Sequence, residues 1–469
     1  MSALTAALRA AAEDVPAYDV ADAAIALGRR RRRRSALAST GAGLLVLILL
    51  AVALIPLLGS RGSPLGGARS EGPGLPDRIG SPGVLTRSMG IAPAGPASVV
   101  FTEPSGLLSG GGLVAVGADA DTYRTLDTAG AIAGRTALLS PDGGRIAFSW
   151  GKDIVMADLR TGRRQRILDP VVGGDRVVPA AWFADGSGLI VVVTSHAGDP
   201  TAPGIVQELT IMDMSGSSGL ATATGPVAPY GFTVAINPSG TTIAYQYSNV
   251  ITVYNRITNV KHTITLPDDR TALAGRGAWT PDGRTLAVVH RDTDDYQARR
   301  WELRLLDPVT GVERDPGYRP SLAPASAIRL LGWDSQTGDP VVVGIDADQT
   351  VDNFGYGGNS LDQLAVKKVG VYELGRNGPR TVLAPTPGIT DLDVADSIVT
   401  AGLTRRGYPP RAVSAVELAA AVGGGLLLAA WGVWVWRRRR ALRIVEPDGG
   451  GQGDAGVPST RSRAIPPSG

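Results

Sequence analysis

The feature that most limits how this chain folds is a repeated unit of apolar run, short turn rich in Pro, Asp, Ser and Gly, and second apolar run. It stands at "LLSPDGGRIAFSW" (138–150), "AAWFADGSGLIVVV" (180–193), "VAINPSGTTIAYQY" (234–247), "GAWTPDGRTLAVVH" (277–290) and "LLGWDSQTGDPVVVG" (330–344). Pro presets φ at the second turn position, Asp or Ser bonds back to the backbone, and Gly takes the left-handed position that closes the hairpin. The runs after the turns, such as "RIAFSW", "LIVVVTS" and "TLAVVH", are rich in β-branched and aromatic residues and read as strands.

A second mark follows in each unit: "DLRTG" (158–162), "DMSG" (213–216), "NRITN" (255–259), "DPVTG" (307–311) and "ELGRNG" (373–378), each preceded by another strand-like run. Each unit is then two tight hairpins, four strands a, b, c and d. A period of roughly 40–50 residues with four antiparallel strands is the signature of a propeller blade. A lone blade exposes both faces of its sheet, and stacking the blades in a ring buries them. Residues 98–135 read as a further, degenerate blade, and 389–403 as one or two leftover strands that complete the first blade. The fold class is therefore all-β, a six- or seven-bladed β-propeller, with two flanking transmembrane helices argued below.

The string "SPDGGRIAFSWGKDIVMADLRTG" resembles the WD40-like repeats of bacterial propellers of the TolB type. The matching positions are Ser140, Pro141, Asp142, Gly143, Ile146, Ala147, Phe148, Asp153, Ile154, Met156, Asp158 and Gly162. The resemblance covers about 136–385; "FADGSG" lacks the Pro, and "WDSQTG" lacks both Pro and Asp-Gly. It implies the fold. Families sharing the repeat include binding scaffolds, periplasmic transport accessories and some hydrolases, so it does not imply one activity.

Composition excludes several chemistries. Among 469 residues there is no cysteine, which removes disulfides, thiolate metal sites and cysteine nucleophiles. Three histidines, His196, His262 and His290, argue against a multi-histidine metal centre. No GxSxG elbow or phosphate-binding loop occurs. "DADQTVDN" and "GADADT" alternate Asp but lack the rest of a calcium loop, so no cofactor is expected.

Two apolar stretches, 36–58 and 415–436, are long enough to cross a bilayer core of about 30 Å as helices. Arg29, Arg30, Arg31, Arg32, Arg33 and Arg34 directly precede the first, and Arg437, Arg438, Arg439 and Arg440 directly follow the second. Arginine clusters stay on the cytoplasmic side. Both do so only if the chain crosses twice with everything between them outside. Trp434 and Trp436 sit beside the second cluster, where an interfacial aromatic belt belongs. Setting aside the tails and Glu417, which hold fourteen arginines and eight acids, leaves 32 basic and 35 acidic residues. The overall charge of +3 is a property of the tails. Beside apolar spans the arginines read as topology anchors that meet anionic membrane lipid, not as a nucleic-acid patch.

The expected organisation is a cytoplasmic tail (1–34), a membrane helix (35–58), a Gly/Pro/Ser linker (59–82), an extracytoplasmic propeller (83–405), a second membrane helix (412–436) and a basic, then disordered, cytoplasmic tail (437–469). The expected location is the plasma membrane.

Spacing between the two marks differs among the units, and the extra residues fall between strands b and c. The insertions are 195–207, 290–300 and 346–363. Because strands alternate direction, all b–c loops emerge on one face of the disc, where long loops on a rigid scaffold concentrate binding. The candidate binding residues are His196, Asp199, His290, Asp292, Asp294, Tyr296, Asp346, Asp348 and Tyr356, suited to a peptide, a glycan or a cation; no catalytic residue is identified. The expected function is a non-enzymatic scaffold that holds a protein or cell-envelope partner on the loop face. Two alternatives stand beside it: a signalling regulator whose outer propeller senses a ligand and whose N-terminal tail binds a cytoplasmic partner, and a hydrolase or lyase acting on cell-wall glycan.

Overall fold

The computed structural model describes residues 72–82, 86–103, 112–128, 130–167, 176–196, 205–213, 216–225, 233–293, 295, 299–315, 317–347, 366–410 and 433–434. The chain divides into two compact units, Met1–Ala412 and Val413–Gly469. Of the second, only Val433 and Trp434 are described; they are helical, and Trp434 is exposed. The arginine clusters, Trp436 and the apolar stretch 36–58 lie outside the described residues, as does 415–436 apart from those two positions. Among the described residues no helix is long and apolar enough to cross a membrane.

Unit one is a six-bladed propeller, which decides between the six and seven blades left open by the repeat count. Blades II to VI run in chain order, each from inner to outer strand. Blade II is Ala137–Leu139, Arg145–Trp150, Asp153–Asp158 and Arg164–Ile167; blade III is Arg176–Trp182, Gly188–His196, Ile205–Asp213 and Gly216–Gly225. Blade IV is Thr233–Ile236, Thr242–Tyr247, Val250–Asn255 and Val260–Thr265. Blade V is Thr271–Leu273, Leu286–Arg291, Trp301–Leu306 and an outer strand broken into Glu313–Arg314 and Ser321–Leu322. Blade VI is Ala327–Trp333, Pro340–Ala347, Val366–Gly375 and Gly378–Pro385.

Blade I closes the ring. Its inner strand, Asp391–Val394, comes from the far end of the propeller sequence and pairs antiparallel with Ala97–Glu103, followed outward by Gly112–Gly117 and Tyr123–Leu126. The rest of the leftover stretch is a short helix, Asp396–Thr400. Residues 72–82, read as part of a linker, instead form two short strands: Leu75–Pro76 runs parallel to Thr404–Arg405, and Arg78–Ile79 runs parallel to Ala384–Pro385 outside blade VI.

The turns follow the chemistry of their sequences. In "SPDGGR" the Ser140 hydroxyl and the Gly144 N–H both donate to Asp142 Oδ1, at 2.7 and 2.9 Å, while the Arg145 N–H donates to Ser140 Oγ at 2.8 Å. "TPDGRT" repeats this with Thr280 and Arg284 donating to Asp282. The closing glycines Gly143, Gly186, Gly240, Gly283 and Gly338 have φ between 66° and 76°, a region that L side chains rarely enter. In the second marks, Asp158, Asn255 and Asp307 each accept two backbone N–H groups through their side chains.

The core is a set of layers between blades. One apolar cluster joins blades I, II and VI, one joins IV, V and VI, one III and IV, and one II and III. Three buried tryptophans reach across these layers, Trp182 and Trp333 from the ends of inner strands and Trp279 from an isolated bridge with Leu286. Trp182 donates to Leu138 O, Trp279 to Ala235 O and Trp333 to Gly277 O, at 3.2, 3.3 and 3.0 Å, each to the inner region of the preceding blade.

Candidate functional site on the loop face

The second-to-third strand connections all leave one face of the ring. Blades II and IV make them in two residues, Gly151–Lys152 and Ser248–Asn249. Blades III, V and VI take 8, 9 and 18 residues, and blade I takes 8. The insertion in blade I is hidden from repeat counting because that blade lacks the turn motif.

The predicted residues distribute unevenly around that face. His196 is the last residue of the second strand of blade III, in register with Ile205. Asp199, Asp294, Asp348, Tyr296 and Tyr356 lie outside the described residues. Asp346 is not in a loop; it stays in the second strand of blade VI, paired with Lys368. Asp292 Oδ1 accepts the Arg300 N–H at 2.9 Å, so this carboxylate ties the base of the blade V insertion together. His290 is where the surroundings become chemically specific.

His290 lies in a row that crosses blade V at its loop-face end. Thr271, His290, Glu302 and Ser321 are register partners on four successive strands. Of the two neighbouring blades, blade VI carries the buried apolar row Ala327, Ile345 and Val369, whereas blade IV begins its row with the polar pair Thr233 and Gln246 before Ile251 and Ile264. A polar row at this depth must satisfy its own hydrogen bonds. It does so from a fixed starting point. The Thr271 hydroxyl has one proton and gives it to Asp268 Oδ1 at 2.8 Å. The 3.0 Å contact between Thr271 Oγ1 and His290 Nδ1 then requires the ring to donate from Nδ1, which leaves Nε2 as the unprotonated nitrogen. Burial holds the His290 pKa below its ordinary value, and the Arg304 cation adds to that effect. Nε2 has no hydrogen-bond partner among the described residues. Arg304 and Arg319 approach Glu302 at 3.6 and 3.9 Å, placing both signs of charge beside the row. The group can accept a hydrogen bond or a proton at Nε2 and pair with charged groups of a ligand.

A second polar cluster lines the inner strands. Asp391 and Asp393 share one side of the inner strand of blade I. Asp391 meets Arg135 at 2.6 Å and Arg329 at 3.0 Å, from blades II and VI. Asp393 meets Arg276 of blade V at 2.7 Å and accepts the Leu139 N–H of blade II at 2.9 Å. Arg276 also pairs with Asp396 at 3.0 Å and donates to Val394 O. Burial alone would lower the Arg276 pKa; Asp393 and Asp396 more than offset this and raise it. These ions tie the closing strand of blade I to blades II, V and VI. The sequence reading passed over them, although "DLDV" carries the signal: two acids at i and i+2 in an apolar strand put both carboxylates on one side.

On the opposite face a cleft of about 370 Å³ separates blades V and VI, walled by Leu303, Leu305, Tyr318, Pro320 and Trp333. It lies beside the break in the outer strand of blade V. The Tyr318 hydroxyl donates to Asp339 at 2.8 Å, and burial raises its pKa. Among the described residues no group of three or more His, Asp or Glu is placed to hold a metal ion. Asp121 of "GADADT" is engaged by Arg405 at 2.6 Å.

No protein-family model matches the sequence, and no curated protein does. Solved structures are similar to this chain at low identity. An oligogalacturonate lyase in complex with manganese is 14% identical, with a TM-score of 0.40 over 64% of this chain and 78% of that one. An acylaminoacyl peptidase is 10% identical, with a TM-score of 0.35 over 61% of this chain and 50% of that one. A putative TolB from Agrobacterium tumefaciens is 17% identical, with a TM-score of 0.30 over 43% of this chain and 72% of that one. These likenesses concern the fold. The expectation of a non-enzyme is corrected by this comparison, since enzymes, a lyase and a peptidase, are among the solved structures to which the chain is similar.

Proposed function

We propose that this chain holds a propeller outside a cell membrane and recognises a cell-envelope partner through the loop face, with blade V as the principal element. The observation that carries the reading is the row Thr271–His290–Glu302–Ser321 at the foot of the blade V insertion, polar across all four strands. A hydrogen-bonded polar row with an unprotonated ring nitrogen fits a partner that offers hydroxyl or amide donors together with charge, such as a glycan or a peptide. The membrane part rests on sequence: two uncharged or nearly uncharged stretches, each with an arginine cluster on its outer flank, in contact with anionic lipid. The side-by-side pairing of Leu75–Pro76 with Thr404–Arg405 suits a ring attached to an anchor at each end of its sequence.

Two measurements test this. A photo-reactive residue at 292 should capture an envelope component in cells, and the same residue at 161, in a short turn on the opposite face, should not. Equal capture at both positions, or capture only at 161, would sink the loop-face assignment. A reporter fused near position 260 should be active outside the cytosol; activity confined to the cytosol would sink the topology.

A further inference from the structure

The cleft between blades V and VI lies on the face opposite the long loops and has no part in recognition at the loop face. It opens where the outer strand of blade V is interrupted. Glu313–Arg314 pairs with Leu305 and Leu306, Ser321–Leu322 pairs with Trp301 and Glu302, and between the two pieces the ladder is broken. Leu303 and Leu305, two positions apart on the third strand, share one side of it and line the cleft. The space measures about 370 Å³, which lies within the range of small-molecule sites.

Its aromatic walls are pinned by their polar ends. Trp333 Nε1–H donates to Gly277 O at 3.0 Å, and the Tyr318 hydroxyl donates to Asp339 Oδ1 at 2.8 Å. Neither ring has to be ordered by a ligand, which lowers the entropic cost of binding. Asp282 is the single charged residue among the described residues that line the cleft. The Thr280 hydroxyl and the Arg284 N–H both donate to its Oδ1, at 2.6 and 3.1 Å, and so fix the carboxylate in place. Among the described residues nothing bonds its Oδ2. Asp339, through its bond to Tyr318, adds a second negative charge beside the cleft. The Tyr318 ring already attracts one cation, the Arg376 guanidinium, 5.3 Å from its centroid. Arg284 is exposed and does not line the cleft.

We propose that this cleft binds a small organic cation, with its apolar or aromatic body between Leu305, Pro320 and Trp333 and its ammonium group on Asp282 Oδ2. Charge complementarity selects this occupant. An anion would meet the carboxylates of Asp282 and Asp339, and a neutral ligand would leave Oδ2 to water. A cation gains a charge-assisted hydrogen bond there while its body covers the leucine and tryptophan walls.

Ligand-observed NMR titration of the full chain in a zwitterionic detergent at neutral pH tests this with phenethylammonium, phenethyl alcohol and phenylacetate. The ammonium should bind saturably and about fivefold more tightly than the alcohol, the upper end for an exposed ion pair, and phenylacetate should bind weakest. Leu305→Trp puts an indole into the space and should abolish saturable binding of both the ammonium and the alcohol, with the thermal unfolding midpoint retained. Asp282→Asn keeps an acceptor in the turn and should bring the ammonium down to the affinity of the alcohol, leaving the alcohol unchanged. That second variant lies in an exposed turn, so it still reads the charge where the larger side chain disturbs the fold. The proposal is overturned by the absence of saturable ammonium binding, or by binding that survives a folded Leu305→Trp. Equal affinity of the ammonium and the alcohol in the parent chain, or an ammonium preference that persists in Asp282→Asn, would equally overturn it.

Discussion

Asp391 is 1% exposed and lies between two guanidinium groups that are themselves nearly buried. Such an arrangement need not add much net stability, because desolvation of the three ions offsets their attraction. Removing one partner is another matter, since it strands charge in a dry layer. Asp391→Ala leaves Arg135 and Arg329 without their shared carboxylate and should cost roughly 3–5 kcal/mol in denaturant unfolding. A loss below about 1 kcal/mol would mean that water reaches the arginines and that the pair behaves as a surface one. His290 responds to its neighbours in opposite directions. Arg304 lowers its pKa and Asp268 raises it. By NMR titration, Arg304→Gln should therefore move the His290 pKa up and Asp268→Asn should move it down; shifts of the same sign would refute the proposed surroundings. A folded-state pKa below the unfolded one favours folding above pH 6.5, and that contribution is lost as pH falls through the folded value.

The hairpin is the unit in which sequence and structure agree best, and its turn aspartates carry a measurable consequence. Hydrogen bonds from Thr280 and Arg284 hold Asp282 below its ordinary value of 3.8. At Asp142 burial pushes upward, but Ser140, Gly144 and Arg160 together outweigh it and leave the pKa low. Depressed carboxylates contribute stability that is in place above 3.8 and is withdrawn as pH falls through the folded values. Replacing Asp142 and Asp282 by Asn should flatten the fall in melting temperature between about pH 4 and pH 2 relative to the parent chain. An unchanged slope would show that other carboxylates control acid unfolding. These turns were legible because a local pattern fixes a local geometry: Pro, Asp and Gly at set offsets determine φ and a hydrogen bond without help from distant residues. The closing helix Asp396–Thr400 was not legible, because five residues carry no period and its position depends on neighbours far along the chain. The polar row of blade V was half legible. His290 stood out as one of three histidines, whereas Thr271, Glu302 and Asp268 join it only through strand register. The arginines of the inner cluster, 135, 276 and 329, have no common sequence context at all. Their partners lie 256, 117 and 62 residues away.

Ring closure is the one step that no local pattern specifies. Blades II to VI each fold from a continuous stretch of chain, but blade I joins strands at opposite ends of the propeller: Val394 pairs with Val99, and Thr390 N–H donates to Thr102 O across 288 residues. Bringing such distant segments together costs loop entropy before any contact repays it, and long-range pairing is correspondingly slow. The cost falls once blades II to VI have formed, because the gap left for the closing strand is then short and already lined by Arg135, Arg276 and Arg329, which accept its two aspartates. Folding should therefore be ordered, with the blade I hairpin pairing early and its inner strand joining last. Pulse-labelled hydrogen exchange during refolding tests this directly. The amides of Ile146–Phe148 in blade II should gain protection before those of Asp391 and Asp393 in the closing strand. Asp391→Ala should lengthen the delay, since it removes an attraction that guides the final strand into its gap. Simultaneous protection of both segments, or earlier protection of the closing strand, would mean that the ring assembles around its seam and that the ion cluster nucleates the fold instead of locking it.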